Sequence, residues 1–162
     1  RKLLKAKGST GDLARRTAGR GNAGAMILMK KFLIREISKK PKNKDLLFLG
    51  NPRLKPEAQL LKKILNARKE DFFALYVTLP DKEVYKRSLT RKKGSMKEIY
   101  KVFDTEKIIK ARIRFHKKQV SKTVKYFRAL NKIKIINGNQ SVTKVTKDIL
   151  KAIEEYKNKS LR

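Results

Sequence analysis

The side chains in this chain best equipped for chemistry are cations. From Lys107 through Lys134 there are eleven lysines and arginines and no aspartate or glutamate, the next acid being Asp148. A helix carrying that run must turn its Ile109, Ile113, Val120, Val124 and Phe127 stripe inward, which leaves Lys110, Lys117, Lys118, Lys125 and Arg128 outside. Those five cannot neutralise one another, and the run holds no acid to do it for them, so a polyanion is the expected partner. Phosphate oxygens accept from ammonium and guanidinium groups in a nucleotide and in RNA alike. No base-reading module accompanies the cations, so the expected contacts are with phosphate and shape. His116, the only histidine, falls on the apolar stripe with no acid or cysteine near it in sequence, and reads as a packed core residue rather than a base or metal ligand. The chain has no cysteine, which excludes disulfides, thiolate nucleophiles and cysteine-based zinc sites.

Composition points the same way. Of 162 residues, 45 are Lys or Arg and 14 are Asp or Glu, a formal charge of +31 that repels itself unless a polyanion neutralises it. A hydrophobic fraction of 40% supports one modest core and a single domain. No apolar run approaches the roughly 20 residues of a spanning helix, so no membrane partner is expected.

The elements that must hold these groups alternate between helix and strand. Met29 to Ile37 is an apolar helix, with Met26, Met29, Phe32 and Leu33 as core. Ser38 to Lys44 is a lysine-rich linker. Leu46–Leu49 is too short for a helix and lacks polar alternation, which predicts a parallel strand covered on both faces. Gly50 ends it, and Asn51-Pro52 presents Arg53 at its carboxyl end, the edge where open α/β sheets bind ligands. Pro56 restarts the chain as a helix with Leu60, Leu61, Ile64 and Leu65 on one face. Phe72–Leu79 is a second buried strand by its aromatic and β-branched content. A helix follows Pro80-Asp81, and Thr105 caps a long one running to about Leu130. Lys132–Ile136 forms the last strand, and Ser141 caps a final helix to about Tyr156.

Several short motifs recur in one order. Ser9-Thr10-Gly11-Asp12-Leu13-Ala14-Arg15 matches S-T-G-D-L/M-L/V-R, departing only at Ala14. Leu49-Gly50-Asn51-Pro52-Arg53 followed by Glu57-Ala58 is similar to D-G-F/Y-P-R followed by Q-A-x-x-L. Pro80-Asp81 with Arg87 and Arg91 matches P-D-x(5)-R-x(3)-R, and Asp104 through Phe127 follows D-D-x(7)-R-x(3)-Y-x(9)-Y-Y without a gap. In this the chain resembles the adenylate kinase family. The resemblance implies an α/β fold of the phosphate-loop kinase type, a parallel sheet flanked by helices. It would form one domain over residues 1–162, incomplete at the N-terminus, with a lid shortened to the region 92–101. It also implies that Thr10, Arg15 and Arg53 face an AMP-type nucleotide, that Arg87 and Arg91 hold ATP, that Arg112 takes the catalytic arginine's place, and that the backbone at Gly138 borders the ATP adenine. Taken alone, Arg87 and Arg91 are a solvated helix face.

Three departures bear on the chemistry. No glycine-rich phosphate loop with its lysine is present, and in the family that loop follows the central strand of the sheet, between the strands matched by Leu46–Leu49 and Phe72–Leu79; residues preceding Arg1 are expected to supply it. Leu49 replaces a carboxylate that orders magnesium. Phe103 replaces the first aspartate of D-D, and Glu57 replaces the glutamine whose amide reads the AMP base. These departures imply a catalytically impaired or inactive derivative acting as a structural RNA-binding protein. The expected setting is a ribosome, among rRNA and neighbouring ribosomal proteins, in the mitochondrial matrix, with the cytoplasm as the alternative. That role needs no cofactor and no metal, although AMP or ATP could still be bound. The alternative function is a working nucleoside monophosphate kinase whose phosphate loop lies before Arg1.

Overall fold

The computed structural model describes Gly8, Asp12 and residues 26–41, 44–94 and 105–160, the side chains of 26–28, 91–94 and 160 excepted. Helix α1 spans Met26–Ser38 and α2 Lys55–Ala67; strand β1 is Ala74–Thr78 and α3 Asp81–Gly94. Helix α4, Glu106–Phe115, runs through a π-helical turn, His116–Val120, into α5, Ser121–Ala129; β2, Ile133–Asn137, and α6, Val142–Ser160, complete the order.

The core begins where α1 crosses α2. Leu33 and Ile37 close on Leu61 and Leu65, and Met29, Phe32, Phe48, Leu60, Ile64 and Phe72 pack around them. Each such fully buried side chain is worth about 1.5–3 kcal/mol. The helical spacing of Leu60, Leu61, Ile64 and Leu65 is what turns this face of α2 inward. Met26 belongs to the expected core but lies outside the described side chains.

Among the described residues the sheet has two strands, β1 and β2, paired in parallel from Ala74 opposite Ile133 to Thr78 opposite Asn137. Helix α6 packs on β2, and α5 touches both α2 and β2. Ser141 caps α6 as its sequence predicts, accepting from Lys144 N–H at 3.3 Å. Thr105 likewise caps α4, accepting from Ile108 N–H at 3.4 Å.

Leu46–Leu49 is not a strand. It forms no regular element, none of the described residues pairs with it, and Leu47 and Leu49 are 77% and 81% exposed. Only Phe48 turns inward, meeting Phe32 edge to face at 6.2 Å. Apolar content permits a strand; a hydrogen-bonded neighbour makes it one.

The long helix also departs from a simple stripe. The π turn adds a residue and shifts the phase of α5 relative to α4 by roughly 100°. Ile109 and Phe127 are buried as expected, but between them it is Thr123 that is buried, with Val120 and Val124 half-covered. His116, expected in the core, stands exposed at the turn with its ring against Tyr76.

Candidate functional site

Arg53 lies in the turn that leads into α2. Its backbone is held from two sides. Thr123 Oγ1 of α5 donates to Arg53 O at 2.8 Å, and Glu57 Oε2 accepts from Arg53 N–H at 2.7 Å and Leu54 N–H at 3.1 Å. The guanidinium Nε returns to Gly50 O at 2.9 Å and leaves the rest of the group exposed. Glu57 therefore caps the start of α2 rather than standing open to a base. It is fully buried, and its Oε1 has no hydrogen-bond partner among the described residues.

His116 forms the second part. Its Nε2 lies 3.2 Å from Tyr76 Oη, the rings stack at 5.7 Å, and the partial covering of an otherwise exposed ring, together with the nearby Arg53 charge, pushes the imidazole below its ordinary value of 6.5, against the opposing pull of Asp81. The neutral ring is thus favoured, with the tyrosine hydroxyl as its natural donor. Lys117, one residue on, pairs with Asp81 at the start of α3.

At the carboxyl ends of the two strands Gly138 is buried against β1. A Cβ there would meet Thr78 O at 2.7 Å and Val77 Cγ1 at 2.8 Å, so the close approach of the strand ends requires glycine. Gly138 N–H donates to Thr78 O at 2.8 Å, and its carbonyl accepts a long 3.5 Å bond from Arg87 Nη1, while Arg87 Nε pairs with Glu83 at 2.9 Å. Beside this region a shallow groove of about 360 Å³ runs between α3 and α4, lined by Asp81, Lys82, Tyr85, Lys110, Ile113 and Arg114.

The structure brings Arg87 to Gly138 and the charge of Arg53 to His116, separations of 51 and 63 residues in sequence. Arg112 is half-buried and engaged. Thr10, Arg15 and the side chain of Arg91 lie outside the described residues, as does most of the region 92–101, whose first residues end α3. Lys110, Lys117, Lys118, Lys125 and Arg128 are all exposed, but the expectation that the run carries no compensation is corrected. Lys110 pairs with Glu106 at 2.5 Å, Lys117 with Asp81, Lys132 with Asp71 at 2.6 Å and Lys134 with Glu155 at 3.2 Å. The acids come from outside the run, and apart from Glu106 they become neighbours only through tertiary packing. Sequence reasoning missed the Tyr76–His116 pair for the same cause: 40 residues separate them and no motif links them.

A small parallel sheet flanked by helices makes this an α/β protein, with an arginine turn, a glycine crossing and a cation-bearing helix around the strands. Comparison with curated proteins shows what the chain is similar to. The chain is 30% identical to an adenylate kinase of Bacteroides fragilis over 113 residues, 69% of this chain and 58% of that protein. It is 28% identical to an adenylate kinase of Bacteroides thetaiotaomicron over 114 residues, 70% and 58% of the two chains, and 27% identical to one of Prochlorococcus marinus over 108 residues, 66% and 55%. The chain is adenylate-kinase-like, and it spans a little over half the length of these relatives. No family model matches it.

Proposed function

We propose that this adenylate-kinase-like chain serves as a structural RNA-binding protein, a component of a ribosome and foremost a mitochondrial one, and that it holds RNA by its phosphates. One observation carries the reading. Lys107, Arg114, Lys118, Lys122, Lys125 and Arg128 lie exposed along α4, the π turn and α5, and no ion pair with an acid is made by any of them among the described residues. On a chain of formal charge +31 a face of this kind is left for a polyanion. Two features weigh against turnover of a nucleotide. Leu49, where the resemblance calls for a magnesium-ordering aspartate, is neutral and 81% exposed, and Glu57 is consumed in capping α2. AMP or ATP would then be held, if at all, without reaction, with Arg53 as the available guanidinium.

The test is affinity against salt concentration for two unrelated RNA duplexes, with wild type and a Lys118→Gln, Lys125→Gln, Arg128→Gln variant. Removing one phosphate-binding cation should flatten the log–log slope by about 0.7–0.9, so the variant's slope should fall by about two to three units on both duplexes alike. Equal slopes for the two proteins would overturn the reading. So would phosphotransfer between ATP and AMP in a magnesium-containing coupled assay at an ordinary enzymatic turnover, about 1–1000 per second.

A further inference from the structure

We propose, resting on the RNA reading above, that the outer side of α2 is a second row of the phosphate-binding surface begun by α5, and that the ligand lying across both helices is an RNA double helix.

Helix α2 has a polar stripe of its own. Lys55, Gln59, Lys63 and Asn66 recur at intervals of four, four and three residues, the spacing that keeps side chains on one side of a helix. All four are exposed, and none makes a side-chain hydrogen bond or ion pair among the described residues. The one acid of α2 offsets nothing there. Glu57 is fully buried and is occupied by the N–H groups of Arg53 and Leu54. Acid is scarce elsewhere too, since residues 1–25 carry seven Lys or Arg and one Asp.

Packing sets this stripe beside the cations of α5. Thr123, near the start of α5, bonds the carbonyl of Arg53 just before α2, and Phe127, near the end of α5, meets the ring of Phe72, beyond α2, at 5.5 Å. Leu61 and Leu65 of α2 belong to the cluster that packs on the same Phe72. Both helices thus turn their buried sides to one ring and their exposed sides away from it. Helices in such contact run about 8–10 Å apart. Two rows of cations result, Lys55 with Lys63 on α2 and Lys122 with Lys125 on α5.

Two rows select the ligand. A single strand follows one line and is gripped through bases stacked on exposed aromatic rings. None of the described phenylalanines and tyrosines is exposed. A double helix has a fixed shape with a line of phosphates on either side of each groove, and the A-form minor groove is wide, shallow and bordered by 2′-hydroxyls. Gln59 and Asn66, which share the stripe with the lysines, carry amides that both donate and accept, as a 2′-hydroxyl does. An acidic protein would satisfy the charge, but its carboxylates come in no fixed pair of lines.

The experiment uses the whole 162-residue chain with an RNA duplex of about 16 base pairs, one of its strands alone, the DNA duplex of the same sequence, and polyglutamate. Affinity is measured against salt concentration for wild type, for Lys55→Gln with Lys63→Gln, and for the Lys118→Gln, Lys125→Gln, Arg128→Gln variant. The RNA duplex should bind at least about tenfold more tightly than each of the other three ligands. The α2 variant should keep its circular dichroism and flatten the duplex slope by about 1.4–1.8, at about 0.7–0.9 for each lost contact, while the single-strand slope is unchanged. Bound duplex should also shield Lys55 and Lys63 of the wild-type chain from acetylation, which reads the same contact without mutation. A duplex slope unchanged in the α2 variant but lowered in the α5 variant, or acetylation of Lys55 and Lys63 undiminished by duplex, would overturn the second row and leave the RNA reading standing. Slopes unchanged in both variants would remove both. Equal binding of the single strand or of the DNA duplex would overturn the assignment to an RNA double helix, and equal binding of polyglutamate would assign an acidic protein instead.

Discussion

The two ends of the same pair of strands are built on opposite plans. At the end where β1 and β2 begin, Asp71 takes hydrogen bonds from Lys132 at 2.6 Å and from the Tyr156 hydroxyl, Lys132 also reaches Tyr156 at 2.9 Å, and the Tyr156 ring stacks on Phe73 at 4.3 Å. Charge is matched one for one, and α6 is pinned across both strands. At the end where they finish, Arg87 and Lys117 pair with Glu83 and Asp81, Glu57 holds the backbone of Arg53, and the Arg53 side chain stands exposed. The first end is a clamp with no excess charge for a ligand. The second places the Arg87 guanidinium at the carboxyl ends of the parallel strands, where open α/β sheets take ligands.

That contrast can be broken by mutation. Tyr156→Ala should have the largest effect, about 3 kcal/mol by urea denaturation, because it removes a stacked ring and the hydroxyl that joins Asp71, Lys132 and Phe72 O. Gly138→Ala at the other end should cost about 1–3 kcal/mol, since the new methyl must push back the Thr78 carbonyl and Val77. A destabilisation by Gly138→Ala larger than that of Tyr156→Ala would reverse the assignment of the clamp. Asp71→Asn keeps the shape and loses the charge; the partial exposure of the cluster holds its effect to about 1 kcal/mol at neutral pH.

The two ends should also answer to pH in separate windows. Burial pushes the Asp71 carboxyl up, but hydrogen bonds from Lys132 and Tyr156 more than offset this and hold it below its ordinary 3.8. A depressed folded value means that the unfolded chain binds the proton more readily, so the stability Asp71 adds is complete above the ordinary carboxylate range and is lost as pH falls through the folded value. His116, depressed from 6.5 by burial and by Arg53, adds stability that is complete above 6.5 and declines as pH falls below it. Denaturation midpoints measured across this range should show two steps. Asp71→Asn should diminish the acidic step, to which Glu106 and Asp148, also held low by hydrogen bonds from lysines, contribute, and His116→Phe should remove the upper one. The smallest effect is expected from Lys118→Gln with Lys125→Gln, which should leave the melting temperature within about 2 °C while changing RNA affinity, because neither side chain makes a contact that folding needs.

Much of this molecule was legible from its residues. Helical spacing placed Leu61 and Leu65 in the core, Ser141 and Thr105 marked helix starts, and the strands expected at Phe72–Leu79 and Lys132–Ile136 form at Ala74–Thr78 and Ile133–Asn137. These are local matters, decided by periodicity and by caps within a few residues. The outward placement of Lys118, Lys125 and Arg128 followed as well, since an amphipathic helix has one solution for its apolar stripe. What tertiary structure alone decided is whatever needs a partner far along the chain. Leu46–Leu49 reads as a strand but none of the described residues pairs with it; Lys117 reads as free but meets Asp81; Glu57 reads only as a replacement for a base-reading glutamine but folds back on the turn that Thr123 holds; His116 reads as core but leaves it because one extra residue in a π turn rotates it toward Tyr76. Residue type sets what a side chain can do. Which of those capacities is used depends on long-range neighbours, and a strand without a ladder or a cation beside an acid is determined by packing rather than by its own sequence.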